Sequence, residues 1–237
     1  MPTLVLSPRY TPDSNVLWQA AVRANWPVIR LQNHRAFAEL LLVQDVVLYG
    51  EALFVAVIAD QLNIALLETP VDWLPNLPFA YRQRDIYVST LREARLLTTP
   101  KFIKPAADKS FDAKVYQTGD ELPSPQWFDD ATPVLVSEPV QWELECRCFV
   151  ANRSVATFSP YLRYGELIQN ESCEWLATDD ERKDAFAFLE QLLSENSVRF
   201  PPGIVIDIGK IVGRGWAVVE ANPAWGRAFM ATILTKS

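Results

Sequence analysis

The chain contains one histidine and three cysteines among its 237 residues. His34 alone cannot form a histidine-rich zinc site, and a Ser-His-Asp mechanism would have to depend on it. Its position at the start of a predicted helix favours a surface role instead. An odd number of cysteines without scaffold-like spacing indicates a reducing compartment. Cys146 and Cys148 alternate with charged residues in a predicted strand, so we interpret both as small core residues.

The sequence also lacks long apolar runs and an excess of positive charge. The most apolar stretch, 40–59, is interrupted by Gln44, Asp45 and Glu51, which argues against a membrane span. The first residues, MPTLVLSPRY, lack a signal-peptide layout, so we expect a cytoplasmic protein. The net charge of −7 argues against non-specific binding to nucleic acid or to an anionic membrane. The content of 49% hydrophobic and 22% charged residues is typical of soluble globular proteins.

Strand and helix patterns alternate through the first third of the chain. Strands are predicted at 3–7, 28–31, 46–49 and 64–67, and helices at 14–24 (with Ser14 as N-cap), 34–43 and 51–62. This alternation predicts a small α/β domain with a largely parallel sheet. The domain has no glycine-rich phosphate fingerprint, so we do not expect it to bind a dinucleotide. The proline-rich stretch 69–80 indicates a boundary, which gives lobes at 1–80, 81–138 and 139–237.

The rest of the chain is predicted to be rich in strands. They are expected at 101–105, 113–117, 133–137, 142–150 and 154–160, with irregular structure at 161–168 and a short helix at 227–234. Thr178 and Glu181 form a capping box at the start of a long helix. In the strand 142–150, Glu143, Glu145 and Arg147 fall on one face. That face is either a ligand surface or a ladder of cross-strand ion pairs.

The stretch 203–225, GIVIDIGKIVGRGWAVVEANPAW, predicts a β-hairpin. With Gly213 and Arg214 as the central residues of a type II′ turn, Asp207 lies directly opposite Glu220. Asn222 lies two residues further along and shares their face. Two carboxylates and an amide oxygen of this kind suit Mg²⁺. The alternative interpretation is the solvated face of a sheet.

These features in this order resemble the ATP-grasp superfamily over essentially the whole chain. The resemblance rests on FIKP (102–105), VLVSEPV (134–140), ELECRCFV (143–150), VIDIG (205–209) and VVEANPAWG (218–226). The chain is most similar to a small clade defined by one arginine and two lysines at phosphate positions. The resemblance implies an α+β ATP-grasp fold in which an N-terminal α/β lobe precedes two α+β lobes whose antiparallel sheets sandwich ATP.

The resemblance also implies a role for individual residues. Lys104 and Lys109 would hold phosphates, together with Arg84 and Ser110. Glu138 and Val140 would contact adenine, and Glu143 or Glu145 the ribose hydroxyls. Arg147 would contact the γ-phosphate or an acyl-phosphate, and Arg163 the substrate carboxylate. Asp207, Glu220 and Asn222 would bind Mg²⁺, as two ions, with Mn²⁺ as a substitute. The loop PAADKSFDA after the lysine strand departs from the family pattern because it lacks glycine.

The implied reaction is the activation of a carboxylate by ATP. A small-molecule or peptide carboxylate would take the γ-phosphate, and an amine or a thiol-type nucleophile would displace it. Such phosphoryl transfer depends on positioning and charge neutralisation, which suits a chain with one histidine. Two alternatives remain open: a kinase for small molecules on the same scaffold, and a nucleotide-binding regulatory module without turnover. The sequence does not identify the acid or the nucleophile, and it leaves the oligomeric state open.

Overall fold

The computed structural model describes residues 1–38, 40–43, 45–168 and 177–226. The chain divides into two compact units. The first contains Met1–Glu68 and takes in the chain again at 223–226, and the second contains Thr69–Asn222. The three lobes predicted from the sequence stay a prediction, since both antiparallel sheets described below lie in the second unit.

The first unit contains a three-stranded parallel sheet, as the alternating pattern predicted. Its elements are β1 (Thr3–Leu6), α1 (Pro12–Arg23), β2 (Val28–Arg30), a 3₁₀ turn (Leu40–Leu42), β3 (Val46–Tyr49), α2 (Ala52–Gln61) and a second 3₁₀ turn (Ala224–Gly226). The strand order is β2-β1-β3. Phe54, Val55 and Ile58 of α2 pack with Val5 and Leu48 of the sheet in the core.

Three predictions for the first unit were wrong in detail. The N-cap of α1 is Thr11, whose capping box with Ser14 is completed by a proline at the first helical position. Stretch 34–43 forms only the 3₁₀ turn among its described residues. The Gln61 side chain bonds the carbonyl of His34 and the amide of Ala36, which diverts these groups from a helix. Residues 64–67, all of them described, form no strand.

The second unit contains two antiparallel sheets, which confirms the predicted α+β class. Its helices are α3 (Phe79–Arg82), α4 (Leu91–Ala94) and α5 (Asp179–Ser194). The four-stranded sheet has the order β4-β7-β5-β6, with β4 (Ile86–Thr90), β5 (Lys101–Pro105), β6 (Lys114–Tyr116) and β7 (Pro133–Ser137). The five-stranded sheet has the order β10-β9-β8-β11-β12, with β8 (Trp142–Ala151), β9 (Ser154–Arg163), β10 (Glu166–Leu167), β11 (Gly203–Ile211) and β12 (Gly215–Asn222).

The core of the second unit lies between α5 and one face of the five-stranded sheet. Leu189 and Leu192 of α5 pack with Cys146, Cys148 and Ile206, all completely buried. The two cysteines are therefore core residues, as predicted. The predicted capping box of α5 is also present, with Thr178 accepting from Glu181 N at 3.2 Å. Because this face is filled by the core, the opposite face of the sheet carries the polar side chains.

Stretch 161–168 was predicted to be irregular, but it forms a hairpin. Strand β9 continues to Arg163, which pairs with Glu166 of β10. The two residues between them, Tyr164 and Gly165, have φ values of 50° and 81°. Positive φ at both central positions suits a tight turn between antiparallel strands. The helix predicted at 227–234 lies outside the described residues. Within the described ranges, no helix is long and apolar enough to cross a bilayer.

Candidate active site

The centre of the polar face is an ion pair between two adjacent strands. Arg147 of β8 and Asp207 of β11 are register partners. The Arg147 guanidinium donates to both carboxylate oxygens of Asp207, with Nε–Oδ1 and Nη2–Oδ2 distances of 2.8 and 2.7 Å. Burial lowers the pKa of Arg147, but the hydrogen bonds to Asp207 outweigh it and raise the pKa above its ordinary value. Such a fork fixes both side chains, which are 8% and 1% exposed.

Glu220 and Asn222 of β12 extend this polar face. Glu220 lies opposite Asp207 in the register of β11 and β12. The Asn222 amide donates to Glu220 Oε1 at 2.8 Å, and the Lys104 ammonium donates to Glu220 Oε2 at 2.6 Å. Lys104 belongs to β5, so this ion pair joins the four-stranded sheet to the five-stranded sheet. A small cavity beside the pair is lined by Lys104, Glu220, Leu135 and Ala221.

The opposition of Asp207 and Glu220 depends on a β-bulge that the sequence did not predict. The turn has three residues, 212–214, so Ile211 pairs with Gly215 and the predicted two-residue turn was wrong. In an uninterrupted ladder, this turn would place Val219 opposite Asp207. The register shifts between Asp207 and Ile208, so Val219 becomes an extra residue and Glu220 takes its place.

A buried acid lies on the same face as the Arg147–Asp207 pair. Glu145 is 9% exposed and accepts a hydrogen bond from the Tyr161 hydroxyl at 3.2 Å. Burial raises the pKa of Glu145 to about 7, with further increases from Asp207 and Glu220 and opposition from the Tyr161 hydrogen bond. The Tyr161 ring also lies 5.4 Å from the Arg147 guanidinium carbon. The face therefore holds an acid that changes charge close to neutral pH.

Two residues of this face, Tyr161 and Lys210, were not predicted to belong to the site. Tyr161 was assigned to an irregular stretch, but a register shift in β9 makes it an extra residue opposite the Glu145–Cys146 step. Lys210 donates to Glu143 at 3.1 Å and thereby sets the orientation of another predicted ribose ligand. The charge pattern of β11 was a possible signal for Lys210. Bulges leave no such signal in the alternation of residues, so Tyr161 could not be found in that way.

The predicted adenine contacts lie in the connection between β7 and β8. Glu138 is paired with Arg214, which donates to Oε1 at 2.5 Å and to Oε2 at 3.0 Å. These hydrogen bonds lower the pKa of the Glu138 carboxyl. The Glu138 backbone amide donates to Asp85 O at 2.8 Å. Val140 is partly buried in the same connection. Arg214 anchors the turn of the β11–β12 hairpin to this connection.

The remaining predicted ligands are distributed over loops and strand ends. Lys109 and Ser110 are exposed in the loop after β5, where the Ser110 hydroxyl donates to Asp108 at 2.7 Å. Arg163 forks onto Glu181 at the start of α5, with distances of 2.7 and 3.0 Å. These hydrogen bonds lower the pKa of Glu181 to about 2. The contacts that the resemblance implies for these residues stay predictions.

Arg84 is a buried cation whose hydrogen bonds go to main-chain carbonyls. Its guanidinium donates to Val218 O at 2.7 Å, Val219 O at 3.0 Å and Arg82 O at 3.0 Å. Burial and the charge of Arg82 lower the pKa of Arg84 to about 10. The residue therefore stays charged at neutral pH. A phosphate contact by Arg84 stays a prediction, beside which these contacts suggest a second role.

The oxygen donors at this site fit Mg²⁺. Among the described residues, no group of three or more histidine, cysteine, aspartate or glutamate side chains is arranged for a metal. The predicted set needs only two carboxylates, Asp207 and Glu220, with the amide oxygen of Asn222. Mg²⁺ is commonly held by one or two carboxylates together with substrate phosphates. The set therefore suits a magnesium ion that arrives with a nucleotide.

Solved structures with the same architecture are ATP-grasp proteins. A RimK-domain ATP-grasp protein from Sphaerobacter thermophilus is similar with a TM-score of 0.57 and 14% identity, covering 94% of this chain and 91% of that one. D-Alanine–D-alanine ligase from Bacillus anthracis, complexed with ATP, has a TM-score of 0.53 and 16% identity, covering 94% and 85%. The ATP-grasp ligase PsnB, complexed with a minimal precursor, Mg and ADP, has a TM-score of 0.50 and 13% identity, covering 93% and 88%.

The fold is thus that of an ATP-grasp protein, as the sequence resemblance predicted. A family model matches residues 81–232, and it describes the ATP-grasp domain of the second family in the clade named for one arginine and two lysines. The match spans more than half of the chain, and the protein belongs to this family. A comparison with curated protein sequences found no match.

Proposed function

We propose that the protein is an ATP- and Mg²⁺-dependent ligase that joins a carboxylate to an amine or a thiol-type nucleophile. The observation that carries this proposal is the meeting of Asp207, Glu220 and Asn222 with Arg147 and Lys104 on one sheet face. Acids for a divalent cation and cations for phosphates lie side by side there. The ligase names of similar structures, including D-alanine–D-alanine ligase and PsnB, agree with this chemistry.

In the proposed site each polar residue has one task. Asp207, Glu220 and Asn222 hold one or two Mg²⁺ ions, which would neutralise charge on the phosphates. Lys104, Lys109 and Ser110 hold phosphate oxygens. The connection at Glu138 and Val140 contacts adenine, and Glu143 or Glu145 contacts the ribose. Arg147 and Arg163 orient the γ-phosphate and the substrate carboxylate.

The reaction proposed for this site has two steps. A carboxylate oxygen of the substrate attacks the γ-phosphorus of ATP, the bond to the β,γ-bridging oxygen breaks, and ADP leaves. The nucleophile then attacks the acyl carbon, inorganic phosphate leaves with the bonding electrons, and the nucleophile loses a proton. Arg147 is placed to hold the transferred group in both steps. A peptide or a small molecule is the expected acid, in keeping with the precursor bound to PsnB.

Thermal unfolding with ATP, with and without Mg²⁺, tests the nucleotide site. A ligand at 100 times its Kd adds about 2.7 kcal/mol to the free energy of unfolding. We expect a rise in Tm that depends on Mg²⁺ in wild type and is absent in Glu220→Gln. Asp130→Asn is the matched control, since Asp130 pairs with Arg95 at the end of α4, outside the residues of the polar face. An equal rise in Glu220→Gln would refute the metal assignment.

Trapping the activated acid separates ligase from kinase activity. With hydroxylamine as a generic nucleophile, an acyl-phosphate yields a hydroxamate that a colour reaction detects. Formation of a hydroxamate from candidate carboxylates, with stoichiometric ADP, supports the ligase. Release of a stable phosphorylated product instead would establish the kinase alternative.

A further inference from the structure

We propose that Arg84 is a positioning residue that holds the β-bulge at Val219 and so turns Glu220 toward the metal site. This inference rests on the proposed function, because Glu220 is taken as a metal ligand. It gives Arg84 a role that acts through the backbone of β12, in place of direct contact with phosphate. The argument starts from the face that each residue of β12 occupies.

The packing of β12 shows that the bulge is needed to place Glu220. Trp216, Val218 and Ala221 all pack against the core below the five-stranded sheet. Their spacing is two residues and then three, whereas a regular strand has a constant spacing of two. Regular alternation from Val218 would turn Glu220 toward the core and place Val219 opposite Asp207. The extra residue therefore puts Glu220 on the polar face.

The hydrogen bonds of Arg84 go to this irregular part of β12. Its Nη1 and Nη2 atoms donate to Val218 O and Val219 O at 2.7 and 3.0 Å. A bulge leaves its extra residue out of the ladder, and an unpaired buried carbonyl is unfavourable. One planar guanidinium satisfies two consecutive carbonyls, which fixes the direction of the peptide that leads into Glu220.

The surroundings of Arg84 hold its guanidinium in place. The residue is 5% exposed, and it donates a third hydrogen bond to Arg82 O. Its guanidinium carbon lies 5.0 Å from the centre of the Trp142 ring. Strand β12 is at the edge of the five-stranded sheet, and α3 lies against it just before Arg84. The segment that carries Arg84 thus covers the edge where the bulge occurs.

Arg84→Lys tests the inference because lysine keeps the charge and loses the fork. We measure Mn²⁺ binding in the presence of ATP by electron paramagnetic resonance, and ATP binding in EDTA by calorimetry. Loss of a residue that orients a metal ligand weakens metal binding by about 10- to 100-fold. We expect a loss of that size for Mn²⁺ with unchanged ATP binding in EDTA. A phosphate ligand would instead weaken ATP binding in EDTA, and that result overturns the inference.

Arg153→Lys is the control for a general loss of stability. Arg153 also donates to main-chain carbonyls, at 2.8 Å to Leu193 O and 2.7 Å to Val198 O. Its guanidinium lies 4.9 Å from the Phe200 ring, so the interactions match those of Arg84 in kind. The bulge is not among its contacts. We expect Arg153→Lys to lower Tm without changing Mn²⁺ affinity, and equal losses of Mn²⁺ affinity in both variants would overturn the inference.

Deletion of Val219 completes the test. The deletion leaves Val218, Glu220, Ala221 and Asn222 in regular alternation with their present partners in β11, but without the braced peptide. We expect it to weaken Mn²⁺ binding, and we expect Arg84→Lys to add no further loss in the deletion background. Additive losses would overturn the inference. If Arg84→Lys does not fold, the deletion alone decides, since unchanged Mn²⁺ affinity there shows that the bulge does not position Glu220.

The wild-type measurement separates the two levels of the proposal. Wild type that binds neither ATP nor Mn²⁺ with ATP refutes the proposed function, and the inference falls with it. Wild type that binds both, beside an Arg84→Lys variant with wild-type Mn²⁺ affinity, refutes the inference alone.

Discussion

Replacing Glu145 by glutamine should remove a pH dependence of stability near neutral pH. Burial raises the pKa of Glu145 from 4.5 to about 7 in the folded protein. Between these two values the folded state binds a proton that the unfolded state has released. Stability therefore falls as pH rises through this window, and the loss is complete above the folded pKa. Glutamine cannot ionise and still offers an oxygen to the Tyr161 hydroxyl.

The size of the effect follows from the separation of the two pKa values. Each pH unit of separation corresponds to about 1.4 kcal/mol, so ionising Glu145 in the folded state is disfavoured by about 3 kcal/mol. Part of this loss has already occurred at pH 5, where the unfolded carboxyl is mostly ionised. From pH 5 to pH 8, wild type should lose about 2 to 3 kcal/mol relative to Glu145→Gln.

Urea unfolding at half-unit steps from pH 5 to pH 8, in EDTA, measures this difference. Glu143→Gln is the control, because Glu143 lies on the same strand but is partly exposed and paired with Lys210. The control should keep the wild-type slope of stability against pH. Parallel curves for wild type and Glu145→Gln would refute the argument, since they would mean that Glu145 ionises equally easily in both states.

Two further substitutions test packing and capping. Gly209→Ala should destabilise the protein by about 1 to 3 kcal/mol, because a Cβ there would lie 2.6 Å from Trp142 Cε3 and 2.9 Å from Leu144 O. A urea midpoint equal to that of wild type would contradict this packing. Thr178→Ala should remove the N-cap of α5 and lower stability by about 1 kcal/mol, seen as a Tm about 2–4 °C lower. The rise in Tm on adding ATP and Mg²⁺ should be unchanged in Thr178→Ala, and its loss would show that the cap also affects the site.

The sequence predicted those parts of the fold that depend on periodicity. The parallel sheet of the first unit, the long strand β8 and the capped helix α5 follow from alternation and capping residues, which act locally. The helix predicted at 34–43 failed because Gln61, distant in sequence, bonds its backbone. Long-range side-chain contacts of this kind leave no local pattern.

The pairing of Asp207 with Glu220 was predicted correctly from an incorrect turn. The hairpin loop has one residue more than predicted, and Val219 compensates by bulging. Two errors of one residue each cancel, because a bulge restores the register that the longer loop shifts. The burial of Arg84 was hidden for a similar reason. A stretch with several arginines indicates an exposed basic face, whereas this one contacts carbonyls of a strand far along the chain.

The two ion pairs at the centre of the site imply that loading it is an exchange of counter-ions. Glu220 is neutralised by Lys104 and Asp207 by Arg147, so each carboxylate already has a positive partner in this structure. A divalent cation entering the proposed site takes over these partners' place. The displaced ammonium and guanidinium groups then need new anions, which the phosphates of a nucleotide supply. Free Mg²⁺ alone would leave two cations uncompensated, so the metal and the nucleotide are expected to enter as one neutralising pair.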